Sequence, residues 1–283
     1  MTRCCRFTTE LNVLMVPAPF LLLLATLNRK PKRTLKMTED STANEKTLYN
    51  VHQLCEHMVS SVLKEVNTIQ YLIRSIEEIS GKPFSRDRIK CLSSPPRAGA
   101  ALHTVASAGY MWSKVRPGTE KGDIVMAEEH ITPYMNGKDK VDVSAENLKS
   151  LRNFVERNIR HELIHAFDDV RGVIEPANCM HQACSEIRAA RLSGDCFAGE
   201  EIKKGRVDYF QGGIQCVRRR ATLAVESNPI CRGFADRAVE TTFAQCYSDY
   251  EPFVAPVYSM GSYGDVTLTT AHSSCKQMSS RRP

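Results

Sequence analysis

Residues 144–172, SAENLKSLRNFVERNIRHELIHAFDDVRG, carry the strongest pattern in the chain. Ser144 offers the hydroxyl of an N-cap. Leu148, Leu151, Val155 and Ile159 recur at steps of three or four, and Ile164, Phe167 and Val170 continue the apolar side until Gly172, a common residue just past a helix end. The spacing predicts one long amphipathic helix. Within it, residues 161–165 read HELIH, an H-E-x-x-H pattern. One turn separates His161 from His165, so both imidazoles project from one face and can share a metal ion. Neutral imidazole suits Zn²⁺. Glu162 stands beside them, angled away, where it can take a proton from a water activated by that ion.

A catalytic zinc keeps three protein ligands and one open position. The H-E-x-x-H-x-x-G-x-x-H continuation is absent, because Asp168 and Arg171 stand at the places of its Gly and last His. The remaining source is the next helix. Glu186, in the stretch CSEIRAARLSGDC at 184–196, precedes Ala189 and Ala190, whose small side chains allow two helices to approach closely. That layout matches a His₂Glu site, with His181, Asp168 and Asp169 as alternative third ligands. Asp169, four residues beyond His165, is the candidate to support that imidazole from behind, and Asp195 is a second supporting candidate. The expected chemistry is hydrolysis: one Zn²⁺ per chain activates water, and Glu162 accepts its proton and delivers it to the leaving amine. A short strand at 123–127 is the candidate edge for pairing with an extended peptide.

The rest of the chain points to a mainly α (α+β) fold with a small sheet. A helical period runs from Leu48 to Ile76 and ends at Gly81 and Pro83; further helices are expected over about 179–192, 216–227 and 233–248. Residues 91–121 show no firm period and read as loop, with Tyr110 and Trp112 as packing residues. The net charge of +6 has one source. Seven of the 38 Lys and Arg and one of the 32 Asp and Glu fall in residues 1–36, which leaves 31 of each for the body. A basic nucleic-acid-binding body is thereby disfavoured. Residues 1–36, with the apolar run LNVLMVPAPFLLLLATL at 11–27, read as a targeting leader, an anchor or an upstream extension. Residues 37–46 read as a polar linker, 47–253 as the working domain and 254–283 as an irregular tail. The basic run Arg218–Arg220 is either a solvated helix face or a contact for anionic lipid. Of eleven Cys, nine lie in the body without a Cys-x-x-Cys pair, which points to several disulfides and an oxidising compartment. Their connectivity is not readable, and one thiol is left over.

HELIHAFDD, CSEIRAARLSGDC, CVRRRATLAV and CYSDYEPF together resemble the mitochondrial intermembrane-space metalloproteases that process and help assemble the membrane sector of ATP synthase. The resemblance covers residues 158–253 and extends more loosely back to the helix at 48–79. It implies a disulfide-stabilised, zincin-like (gluzincin-like) zinc metallopeptidase lying peripherally on the intermembrane-space side of the inner membrane. It further implies a precursor of an ATP synthase membrane-sector subunit as substrate, the oxidative import machinery as a partner, and Glu162 at the family's catalytic glutamate. An assembly chaperone whose zinc site is dispensable is the alternative; a nuclear DNA-repair-associated binding role fits the neutral, Cys-rich body less well. The chain departs from the family after Cys91, where CLSSPPR lacks a second nearby Cys, and in its long apolar N-terminal run.

Overall fold

A computed structural model describes residues 49–93, 106–114, 117–135, 144–172, 174–206 and 213–254. Residues 1–36 and 37–46, Cys4, Cys5, Cys275 and the tail beyond 254 lie outside the described residues. Two α-helices open the chain, α1 (Val51–Glu65) and α2 (Asn67–Ser80). The expected single helix is therefore two. Val66 adopts extended backbone between them (φ −100°, ψ 107°). The apolar period steps across Val66 without a fault, so the break left no trace in the spacing. Asn50 and Gln53 form a capping box at the start of α1.

Three short strands follow: β1 (Ile89–Leu92), β2 (Ala108–Tyr110) and β3 (Ile124–Ala127). They pair in the order β1-β3-β2, with β1 parallel and β2 antiparallel to β3. Two expectations are corrected here. The stretch 91–121 contributes strand as well as loop, and the strand at 124–127 is central rather than an edge. All four of its residues are buried, as a strand covered on both faces requires. The edges belong to β1 and β2.

Next comes α3 (Ala145–Arg171), capped by the Ser144 hydroxyl at the Asn147 amide; Gly172 ends it in extended, not left-handed, backbone. It is followed by α4 (Cys179–Leu192), a short α5 (Ala198–Lys203) that the sequence did not reveal, α6 (Ile214–Ser227) and α7 (Ala235–Ser248). Two cores result. The first joins α1, α2, the sheet and α3, with Leu54, Ile69, Leu72, Ile124, Leu151, Val155 and Leu163 fully buried. The second joins α4, α6 and α7 around Ala183, Ile187, Val217, Val225 and Val239. The two adjacent alanines of α4 serve one core each, Ala189 the first and Ala190 the second. No helix among the described residues is long and apolar enough to cross a membrane.

Among the described residues four disulfides tie the fold: Cys55–Cys91, Cys179–Cys231, Cys184–Cys246 and Cys196–Cys216, with Cα–Cα distances of 5.3–6.1 Å. Cys91 is thus bridged to α1 despite the missing nearby Cys. The other three bonds all lie in the half built on α4, where the core is made of small residues. Closing loops of 20 to 62 residues stabilises each crossing by about 3–4 kcal/mol on chain entropy.

Candidate active site

The long helix α3 is buried almost all round from Ile159 to Asp168, since it packs into the first core on one side and against α4 on another. His161 and His165 stand one turn apart on its side toward α4, which carries Glu186. The ligand atoms of His161, His165 and Glu186 lie within 4.8 Å of one another. Glu186 Oε2 is 3.5 Å from His161 Nε2, and Glu186 Oε1 is 3.7 Å from His165 Nε2. Donors about 2.0–2.1 Å from a tetrahedral centre stand about 3.4 Å apart, so this set suits Zn²⁺. Of the alternative third ligands, His181 turns away and accepts the Glu175 amide at 3.2 Å, while Asp168 and Asp169 face other partners.

The far nitrogens of both imidazoles are engaged, which decides how the near ones point. His161 Nδ1 lies 2.9 Å from Asp195 Oδ2, and His165 Nδ1 lies 2.8 Å from Ser185 Oγ. Ser185 donates its own proton to Asp168 Oδ2 at 2.9 Å, so its oxygen is left to accept from His165. Each Nδ1 is therefore engaged as a donor, which turns each Nε2 toward Glu186. Asp168 is held in turn by the fully buried Arg188, Nε to Oδ1 3.0 Å, and by Arg171 at 3.1 Å. Both guanidiniums continue to the segment after α7: Arg188 reaches Asp249 Oδ1 at 2.6 Å and Arg171 reaches Asp249 Oδ2 at 2.8 Å. Phe253 then returns to the first core, 5.7 Å from the ring of Tyr71. The CYSDYEPF stretch thus buttresses the helix pair from behind.

Two expectations about supporting residues meet the geometry differently. Asp195 does hold His161, and it is also bound by Arg220 at 2.7 Å. Asp169 does not touch His165; it accepts the Tyr110 hydroxyl at 2.7 Å and the Lys121 ammonium at 3.2 Å. His165 Nδ1 points across to α4 rather than along its own helix, so its support comes from Ser185 and Asp168. Each arginine of the basic run has an acidic partner: Arg218 pairs with Glu240 at the surface, Arg219 with Glu201 and Arg220 with Asp195.

Electrostatics separate the three central groups. Burial disfavours the charged form of His161, but hydrogen bonds to Asp195 and Glu186 outweigh it and raise the imidazole to about 10. Burial lowers His165 to about 4 against the pull of Glu186. Burial raises Glu162 to about 7, opposed by His161. The proton on His161 occupies the place of a cation between two nitrogens and a carboxylate. A carboxyl group near neutrality can take up and release a proton at physiological pH.

The floor formed by these residues opens into a cavity of about 600 Å³. One wall is the free edge of β2 with Ala106, Ser107 and Trp112; the opposite wall is α6 with Arg220, Leu223 and Ala224. Trp112 sits edge-on to His165 at 5.8 Å and to Tyr110 at 4.8 Å, so it borders the cleft rather than only filling space.

The profile of the peptidase M76 family matches residues 53–254. A protein of Saccharomyces cerevisiae named mitochondrial inner membrane protease ATP23 is 42% identical over 232 residues, which are 79% of this chain and 86% of that protein. The protein of the same name from Schizosaccharomyces pombe is 42% identical over 123 residues, 42% of this chain and 65% of its own length. That from Candida albicans is 41% identical over 102 residues, 35% of this chain and 43% of its own length. The chain thus spans less than two thirds of the length of several of the relatives it matches. No solved structure matches it.

Proposed function

The chain belongs to the peptidase M76 family, and from that membership we propose that it is a zinc-dependent endopeptidase. The observation that carries the reading is the convergence of His161, His165 and Glu186 at the floor of an open cleft, with Glu162 beside them. A Zn²⁺ ion held by those three side chains supplies Lewis acidity, acidifying water and polarising a carbonyl. The remaining work falls to the chain. Asp195 and Ser185 keep both imidazoles in the tautomer that turns Nε2 toward the site. Glu162 removes the proton of the attacking water and returns it to the departing amine. The edge of β2 aligns an extended peptide by main-chain pairing, the part the sequence reading gave to residues 123–127.

By the printed names of its relatives and the resemblance of its motifs, the protein works at the mitochondrial inner membrane, peripherally on the intermembrane-space side. There it processes a precursor of an ATP synthase membrane-sector subunit and assists assembly of that sector. The disulfides suit passage through the oxidative import machinery. Glu162→Gln tests the mechanism: it should keep one zinc per chain and lose peptide cleavage by at least about 10²-fold. Retained cleavage refutes the role of Glu162. If the same variant still supports ATP synthase assembly in cells, the chaperone reading gains at the expense of the proteolytic one.

A further inference from the structure

β2 is three residues long and has no periodicity of its own, yet it forms a whole wall of the cleft. Its alternate amides face opposite ways. The Met111 amide bonds Asp123 O at 2.8 Å, and the Ala127 amide bonds Ser107 O at 3.0 Å, so these positions are committed to β3. The Tyr110 amide therefore faces the other edge. There it points toward the Glu162 carboxylate, whose ionised form it favours. The Tyr110 side chain continues in the direction of the α3 C-terminus, and its hydroxyl donates to Asp169 at 2.7 Å. Glu162 and Asp169 are seven residues apart, two turns along one face of α3. One residue of the strand thus grips the helix at two points, one of them the general base.

We infer that Tyr110 is a positioning residue that sets the substrate-aligning edge of β2 against the Glu162 carboxylate through this two-point grip. The inference rests on the reading of Glu162 as general base. The ring is buried and packed against Trp112, which itself borders His165, so the strand, the base and one imidazole move as a unit. Lys121 bonds the other oxygen of Asp169 and fixes its carboxylate. The Tyr110 amide is spent on Glu162, which leaves the polar groups of Ala108 as the ones the edge offers to a peptide.

The test uses the zinc-loaded protein with a peptide substrate and, in parallel, amide hydrogen exchange. Tyr110→Phe keeps the ring against Trp112 and deletes only the donor. A displacement near 1 Å costs up to about 10²-fold, so kcat should fall about 10–100-fold with KM within about twofold and zinc content unchanged. Asp169→Ala should reproduce that loss, Asp169→Asn should retain most activity through its carbonyl oxygen, and the double variant Tyr110→Phe with Asp169→Ala should be no worse than either. Exchange of the residue-110 amide should quicken at least about tenfold in Tyr110→Phe while the β3 amides stay protected. An unchanged kcat, or losses that multiply in the double variant, overturns the positioning role. A wild-type protein without zinc-dependent cleavage overturns the enzymatic reading, and the exchange measurement then still decides the grip.

Discussion

Arg188 is fully buried, and its charge is answered by Asp168, itself 2% exposed, and by Asp249. Replacing it with Met removes the cation and leaves the Asp168 carboxylate in the interior with the partly exposed Arg171 as its cation and the Ser185 hydroxyl as a donor. Asp168 is already held above the ordinary carboxylate range: burial raises it, and Arg188 is the largest influence pulling it down. Without Arg188 it rises further. A buried pair broken on one side costs about 3–5 kcal/mol at neutral pH. The carboxyl can instead accept a proton, at a cost set by its unfolded pKa of about 3.9. With 1.36 kcal/mol per pH unit, that escape costs about 4.9 kcal/mol at pH 7.5 but only about 2.2 kcal/mol at pH 5.5. A folded pKa raised above the unfolded one contributes stability that is lost as pH rises, so the destabilisation of Arg188→Met must shrink on acidification. Guanidinium unfolding of the metal-free protein with disulfides intact, wild type against variant, should show the difference in stability narrowing by about 2 kcal/mol between pH 7.5 and pH 5.5. The lost hydrogen bonds to Asp249 and Glu251 add a term that does not depend on pH over this range. A difference constant within about 0.5 kcal/mol would refute a structural role for the Asp168 charge.

Two further outcomes test how the site is supported. Ser185→Ala takes away the acceptor of His165 Nδ1 and should weaken zinc binding about 10–100-fold in a chelator competition, with a loss of metal-free stability near 1 kcal/mol. Replacing Cys196 and Cys216 together with Ser opens the bond adjoining Asp195 and should cost about 3 kcal/mol of stability by thermal unfolding. Arg220 lies one turn beyond Cys216 on α6 and also grips Asp195, so zinc affinity should fall as well; an unchanged affinity would show that Asp195 holds His161 without help from α6.

How far the sequence could be read depended on where each interaction partner lay. His161, Glu162 and His165 sit in five consecutive residues on a helix whose period is visible, so geometry followed from spacing alone. Glu186 lies on the next helix, and the two small residues after it hinted at close approach. Asp168 and Asp169 were both in view, but only the direction of the His165 ring separates them, and that direction is fixed by Ser185 on another element. Tyr110 gave no signal. Three residues cannot show a strand period, and β2 forms because β3 pairs with it. Arg218–Arg220 read as a patch because their acidic partners lie 18 to 25 residues away in sequence.

The disulfides of the described residues are unevenly placed, and that bears on what holds each part of the site in place. The half with α1, α2, the sheet and α3 buries large aliphatic side chains and carries a single crosslink. It holds His161, Glu162 and His165. The half with α4, α6 and α7 has a smaller core in which alanines and valines predominate, and it carries three. It supplies Glu186, Ser185 and Asp195. The side chains of one site are thus fixed in two ways: aliphatic packing holds His161, Glu162 and His165, while crosslinks hold the elements that carry Glu186, Ser185 and Asp195.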